Sequence, residues 1–157
     1  MRTITVTINV NGVPVTRTAP GHYTLLRWLR DEASVFDVKY GCGEGVCGTC
    51  TVLLDGTVVS SCSVLAAQVD GSTVVTLSGV GATGFTELQE AFVEHGAAQC
   101  GFCTPGMILT ASELLARGER LEASGVRHAL HGNLCRCTGY QSIVDAVLSV
   151  SESVHSG

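Results

Sequence analysis

The chain places eight cysteines in 157 residues, and they fall into two groups of four. The first group is Cys42, Cys47 and Cys50 in "GCGEGVCGTC", spaced C-x4-C-x2-C, with Cys62 after eleven intervening residues. The second is Cys100 and Cys103 in "QCGFCTPG", joined much later by Cys135 and Cys137 in "NLCRCTGY". In a secreted miniprotein this density reads as a disulfide framework. Two features weigh against that here. The first ten residues, "MRTITVTINV", alternate apolar and polar as a strand does and lack the continuous apolar region of a signal peptide. The length is also enough to bury one moderate core or two small ones without staples. Dense cysteines in a reducing compartment more often hold metal, so the chain is expected to be soluble and cytoplasmic.

Length and charge narrow the function classes. A chain of this size does not hold a large multi-cofactor enzyme, so any elaborate chemistry is shared with partners. A net charge of −5 with only nine Lys and Arg, scattered along the sequence, argues against nucleic-acid binding, which needs clustered cations to neutralise phosphates. No run approaches the roughly 18 apolar residues of a membrane span.

The spacing of the first group carries chemistry. A binuclear cluster needs two thiolates on each iron, so one loop must wrap closely and point successive sulfurs inward. C-x4-C-x2-C with a distant fourth cysteine is the plant-type [2Fe-2S] spacing. Gly41, Gly43, Gly45 and Gly48 are expected to supply positive φ and let backbone N–H groups approach sulfur. A structural zinc site is the alternative, but its ligands come as two knuckles of C-x2-4-C, which three cysteines in one loop do not match. In the second group "CGFC" alone is a weak signal, either a redox pair or half a zinc site. With Cys135 and Cys137 it becomes a four-thiolate site, and a helix beginning at Pro105 would bring free N–H groups and a positive end near Cys103.

Periodicity divides the chain near residue 80. Ile4, Val6, Ile8 and Val10 alternate, Asn11 and Gly12 make a turn, and "VPVTRT" returns. A helix follows over "TLLRWLRDEA", with Leu25, Leu26, Trp28 and Leu29 on one face. "TVLLDGTVV" predicts a second hairpin through Asp55 and Gly56, and "STVVTL" one more strand. From Thr86 the period is helical. Thr86 and Gln89 form a capping box, with Leu88, Ala91 and Phe92 inward and Gly96 as the stop. Thr104 as cap and Pro105 as first residue open the next helix, with Met107, Ile108, Ala111, Leu114 and Leu115 inward and Gly118 at its end. "SGVRHALHG" and "SIVDAVLSVSE" complete four helices.

The glycine-rich linker "SGVGATG" contains Gly79, Gly81 and Gly84 as G-x-G-x-x-G, but a second parallel strand and a later acidic residue are missing, which counts against nucleotide binding. His95, His128 and His131 read as capping or surface groups because both cysteine sets are already full. Phe102 and Met107 read as core, with Phe102 also shielding a cluster from water. Arg136 reads as a salt-bridging residue before a tuning one. Glu44 has no base partner, and neither a nucleophile with its base nor a carboxylate pair is visible, so no residue is catalytic.

"GCGEGVCGTCTVLLDG" with Ser61 and Cys62, then "QCGFCTPGM" and "GNLCRCTGY", together resemble the iron–sulfur subunit of the molybdenum hydroxylases, the xanthine dehydrogenase, aldehyde oxidase and CO dehydrogenase family. The resemblance covers nearly the whole chain. It implies an α+β fold, with a β-grasp plant-type ferredoxin-like domain over 1–79 and a four-helix domain over 80–157, each with one [2Fe-2S] cluster. It assigns Cys42, Cys47, Cys50 and Cys62 to the cluster nearer the flavin, and Cys100, Cys103, Cys135 and Cys137 to the cluster nearer molybdenum. It also implies that Gln99 and Cys137 touch a molybdenum pyranopterin. The partners so implied are a large molybdenum-binding subunit and a medium FAD-binding subunit, assembled as a dimer of heterotrimers. Electrons from a hydroxylated substrate would pass from the pterin through both clusters to FAD. The cysteine loop reads closer to the xanthine and heteroaromatic members than to the carbon monoxide enzymes. "DEASVFDVKYGCGEG" departs from the family's usual leucine- and glycine-rich segment, which puts local packing there in question but not ligation. A free-standing two-cluster carrier and a zinc-binding interaction protein are the other readings.

Overall fold

The computed structural model describes residues 2–81 and 86–156. Its first half is a five-stranded sheet in the order β2-β1-β5-β3-β4. β1 (Thr3–Val10) and β2 (Val13–Pro20) form one hairpin, and β3 (Thr51–Leu54) and β4 (Thr57–Ser60) the other. The turn residues Asn11, Gly12, Asp55 and Gly56 all have positive φ, which is the two-residue turn that follows the right-handed twist of paired strands. β5 (Thr73–Val75) lies between the hairpins, parallel to β1 and antiparallel to β3. It is shorter than "STVVTL" predicts. Thr76 leaves the ladder because Asn11 Oδ1 takes its N–H at 2.8 Å, and Leu77–Gly79 closes as a 3-10 turn.

The segment expected as a regular helix starts as α1 (Leu25–Arg27), capped by Thr24, and widens over Trp28–Glu32 into a π-type turn. Ala33 N–H reaches back five residues to Trp28 O, and Ser34 at φ 58° ends the run. Leu25, Leu26, Trp28 and Leu29 are all buried against Val6, Ile8 and Val10 of β1, as their spacing predicts.

Four helices make the second half: α2 (Glu87–Glu94), α3 (Thr104–Ala116), α4 (Ala123–Leu130) and α5 (Gln141–Ser156). Thr86 and Gln89 exchange both capping-box bonds. Cys103, not Thr104, occupies the cap position of α3, while Pro105 sits in the first turn where its missing N–H costs nothing. α5 begins one residue after Tyr140 (φ 70°) and extends past both ends of its predicted stretch. Leu88, Phe92, Met107, Ala111, Val126, Ile143 and Val147 form one core, distinct from that of the sheet. The whole is the α+β arrangement of a β-grasp half and a four-helix half. α3 lies against β3 and β4, so the two halves share a face. Gly79 and Gly81 precede α2, whereas Gly84 lies outside the described residues; a Cβ at Gly79 would strike Asn11, so close packing accounts for that glycine.

Candidate metal centres

The first cysteine group is assembled by a loop and a hairpin. Cys50 is buried just before β3, and Cys62 lies in the 3-10 turn just after β4. The β3–β4 register pairs Thr51 with Ser60, so the residues flanking the hairpin are brought together, and Ser61 Oγ donates to Cys50 O at 2.6 Å. Cys50 thereby faces Cys62, and Cys42 faces Cys47. Backbone N–H groups point at these sulfurs: Cys42 N–H at Cys47 Sγ (3.4 Å), Glu44 N–H at Cys42 Sγ (3.3 Å) and Gly45 N–H at Cys62 Sγ (3.2 Å). Gly43, Gly45 and Gly48 have the expected positive φ, which turns the loop's N–H groups toward sulfur. Gly41 does not; a Cβ there would meet the Cys47 sulfur and the Thr49 hydroxyl, so its need is space.

These contacts split the thiols. The N–H of Glu44, aided by those of Cys47 and Val46, lowers the Cys42 thiol to about 6, whereas burial pushes Cys50 up to about 11.

In the second group Cys100 and Cys137 are exposed, with sulfurs 3.5 Å apart, and Cys103 and Cys135 face each other deeper in. Burial pushes the Cys103 thiol up to about 12. α3 does begin beside Cys103, as the sequence predicts. N–H assistance falls elsewhere. Phe102 N–H lowers Cys100, and at Cys135 burial is outweighed by the Thr138 hydroxyl and N–H. Cys137 is raised, chiefly by the Cys100 thiol. Cys135 and Cys137 leave a non-helical turn, held by Tyr140 Oη accepting from Cys135 N–H at 2.9 Å.

Sulfur donors suit iron–sulfur chemistry, and each half offers two facing pairs, the donor set of a binuclear cluster. Buried thiols as basic as Cys50 and Cys103 become thiolates when a metal coordinates them. Thr104, next to Cys103, also carries a buried hydroxyl with no partner among the described residues, which leaves a donor for a bound group. The residues present therefore fit two clusters.

Other sequence readings divide. Met107 is core, but Phe102 is 45% exposed and is not, because it sits in the loop beside exposed Cys100. His95 and His131 occupy the C-terminal cap positions of α2 and α4, and His128 stacks on His131. Arg136 is exposed and makes no ion pair among the described residues. Gln99 is exposed beside Cys100. The sequence reading missed Asp37, Asn133, Thr138 and Tyr140, which hold the loops; the last three lie inside "GNLCRCTGY", and that placement was their one signal.

The chain matches two protein families: "2Fe-2S iron-sulfur cluster binding domain" over residues 8–78 and "[2Fe-2S] binding domain" over residues 76–148. It is 46% identical to the nicotine 6-hydroxylase small subunit of Paenarthrobacter nicotinovorans, over 92% of this chain and 88% of that one. It is 45% identical to the xanthine dehydrogenase iron-sulfur-binding subunit of Escherichia coli O157:H7, over 96% of each. In structure it superposes on a chain of quinoline 2-oxidoreductase from Pseudomonas putida 86 with a TM-score of 0.92, at 38% identity, covering 100% of this chain and 99% of that one. The chain belongs to the iron–sulfur subunits of the molybdenum hydroxylases, and its two [2Fe-2S]-binding domains make it the electron-transfer member of a heteromeric oxidoreductase.

Proposed function

We propose that Cys42, Cys47, Cys50 and Cys62 hold one [2Fe-2S] cluster and Cys100, Cys103, Cys135 and Cys137 the other. The convergence of the cysteines in each half carries this reading, with Cys42 N–H on Cys47 Sγ and Gly45 N–H on Cys62 Sγ in the first and Cys100 Sγ 3.5 Å from Cys137 Sγ in the second. When bound, each cluster supplies a one-electron carrier. The chain's own residues set its surroundings. Gly45 and Glu44 offer N–H groups to sulfur in the first loop, Thr138 does so in the second, and burial of Cys50 and Cys103 keeps water from one side of each site.

The exposed corner of Gln99, Cys100 and Cys137 is the electron entry point, where Gln99 and Cys137 touch the molybdenum pyranopterin of a large subunit. The first loop is the exit toward FAD in a medium subunit. The complex is a cytoplasmic dimer of heterotrimers; no helix among the described residues is long and apolar enough to cross a membrane. Relatives named for nicotine, xanthine and quinoline support a nitrogen heteroaromatic substrate, hydroxylated in the large subunit.

Analysis of the purified native complex tests this. Two binuclear clusters require about four iron and about four sulfide per chain, with two distinct rhombic EPR signals on reduction. Cys42→Ser should alter one signal and Cys137→Ser the other. Zinc in place of iron, or a single signal altered by both substitutions, would refute the ligand assignment. Purification of the chain as an active soluble carrier, free of larger subunits, would favour the free-standing reading instead.

A further inference from the structure

The two cysteine loops meet through a joint that ligation does not require. Leu134 N–H donates across the halves to Cys47 O at 2.9 Å, which sets the residue before Cys135 directly against a cysteine of the first group. Asn133 lies beneath this bond and is 5% exposed. Its Nδ2 donates to Gly48 O (3.1 Å) and Thr51 Oγ1 (3.3 Å) in the sheet half, while its Oδ1 accepts from Thr110 Oγ1 (3.1 Å) on α3. Its backbone N–H is tied to Leu130 O at the end of α4. Two bare α-carbons let the surfaces close. A Cβ on Gly106 would strike the Gly48 carbonyl, and a Cβ on Gly48 would strike the Gly132 carbonyl and Asn133.

Adhesion alone would be served by apolar side chains. A buried amide with both ends satisfied is directional instead, since sliding either surface leaves a buried donor or acceptor unpaired. The direction it fixes is that of Leu134 N–H onto Cys47 O.

We propose that Asn133 is a positioning residue for electron passage between the two halves, holding the Leu134 N–H to Cys47 carbonyl contact as the bridge from the Cys135 loop to the Cys47 loop. The proposal rests on the ligand assignment above. The passage is a one-electron transfer in which no bond is made or broken. One side is oxidised and the other reduced by the same electron, and no proton moves.

Two substitutions in the intact complex test it. Asn133→Asp keeps the shape and the acceptor for Thr110 but places an oxygen where Nδ2 donated, so both cross-half bonds are lost. Gly106→Ala adds no charge and suits a helix, yet pushes a methyl against the Gly48 carbonyl. After a pulse of substoichiometric reductant, rapid-freeze EPR follows how quickly the two cluster signals equilibrate, and hydrogen exchange follows the Leu134 amide. The expected result for both variants is wild-type iron and sulfide, unchanged g-values, lost protection at Leu134 and severalfold slower equilibration. A wild-type equilibration rate in iron-replete variants overturns the proposal and leaves the ligand assignment standing. A wild-type complex lacking iron and sulfide brings down the assignment itself. Should Asn133→Asp fail to assemble, the rate in Gly106→Ala decides alone.

Discussion

One carboxylate organises the segment leading into the first cysteine loop. Asp37 Oδ2 accepts from Thr76 Oγ1 (2.6 Å), Ser78 N–H (2.8 Å) and Ser78 Oγ (2.8 Å), pinning the loop to the end of β5. Burial alone would raise this carboxyl, but the three donors outweigh it and hold it below its ordinary value. A group depressed on folding adds stability that is full above its unfolded pKa, about 3.9 for Asp, and is lost as pH falls through the lower folded value. Asp37→Asn should therefore destabilise the chain by about 1–2 kcal/mol at neutral pH, with the gap from wild type closing in acid; thermal unfolding across a pH series measures this. An unchanged gap below pH about 3 would count against the carboxylate as its source. The departure of "DEASVFDVKYGCGEG" from the family pattern was legible in the sequence. Its remedy was not, because the partners of Asp37 lie 39 and 41 residues away and no local period links them.

Among the elements, α3 reads differently once its neighbours are known. Met107, Ile108, Ala111, Leu114 and Leu115 predict one inward stripe, yet Gly106, Leu109 and Thr110 are buried as well. A helix buried nearly all round has a second packed face, and here the sheet half supplies it through β3 and β4. Gly106 and Thr110 are small or polar and leave Leu109 isolated in the hydrophobic pattern, which is why the sequence showed only one side. Met107 is fully enclosed, so Met107→Ala should cost about 2–5 kcal/mol through lost contact and a residual cavity. Val93, 73% exposed on α2, gives the contrast: Val93→Ala should stay within about 0.5 kcal/mol of wild type. Denaturant unfolding of the two variants separates these outcomes, and equal losses would contradict the packing. The hairpins were the most legible elements, since Asn-Gly and Asp-Gly at their turns state the conformation outright.

For the whole molecule, order along the chain was readable and mutual placement was not. Each cysteine group, with its spacing and glycines, announced its own half. Gly48, Gly106 and Asn133 each look like an ordinary turn, helix or cap residue until the halves are docked. The cysteine loops stand on two separate cores, so both halves should depend on their bound iron. Extraction of iron from the complex is expected to lower its apparent unfolding temperature and to raise hydrogen exchange at both 41–50 and 100–103. Exchange rising in one stretch only would mean that one loop is held by the protein alone.

The central strand of the sheet has a consequence for synthesis. β5 is the last strand needed to join the two hairpins, and it ends at Val75, after Cys62. The ferredoxin-like half thus has every strand and all four of its cysteines before the helices of the second half have been made. Leu134, which later caps the Cys47 carbonyl, is made well after β5 is complete. Until the second half docks, the first loop lacks the Leu134 N–H on its Cys47 carbonyl and the Asn133 amide on its Gly48 carbonyl.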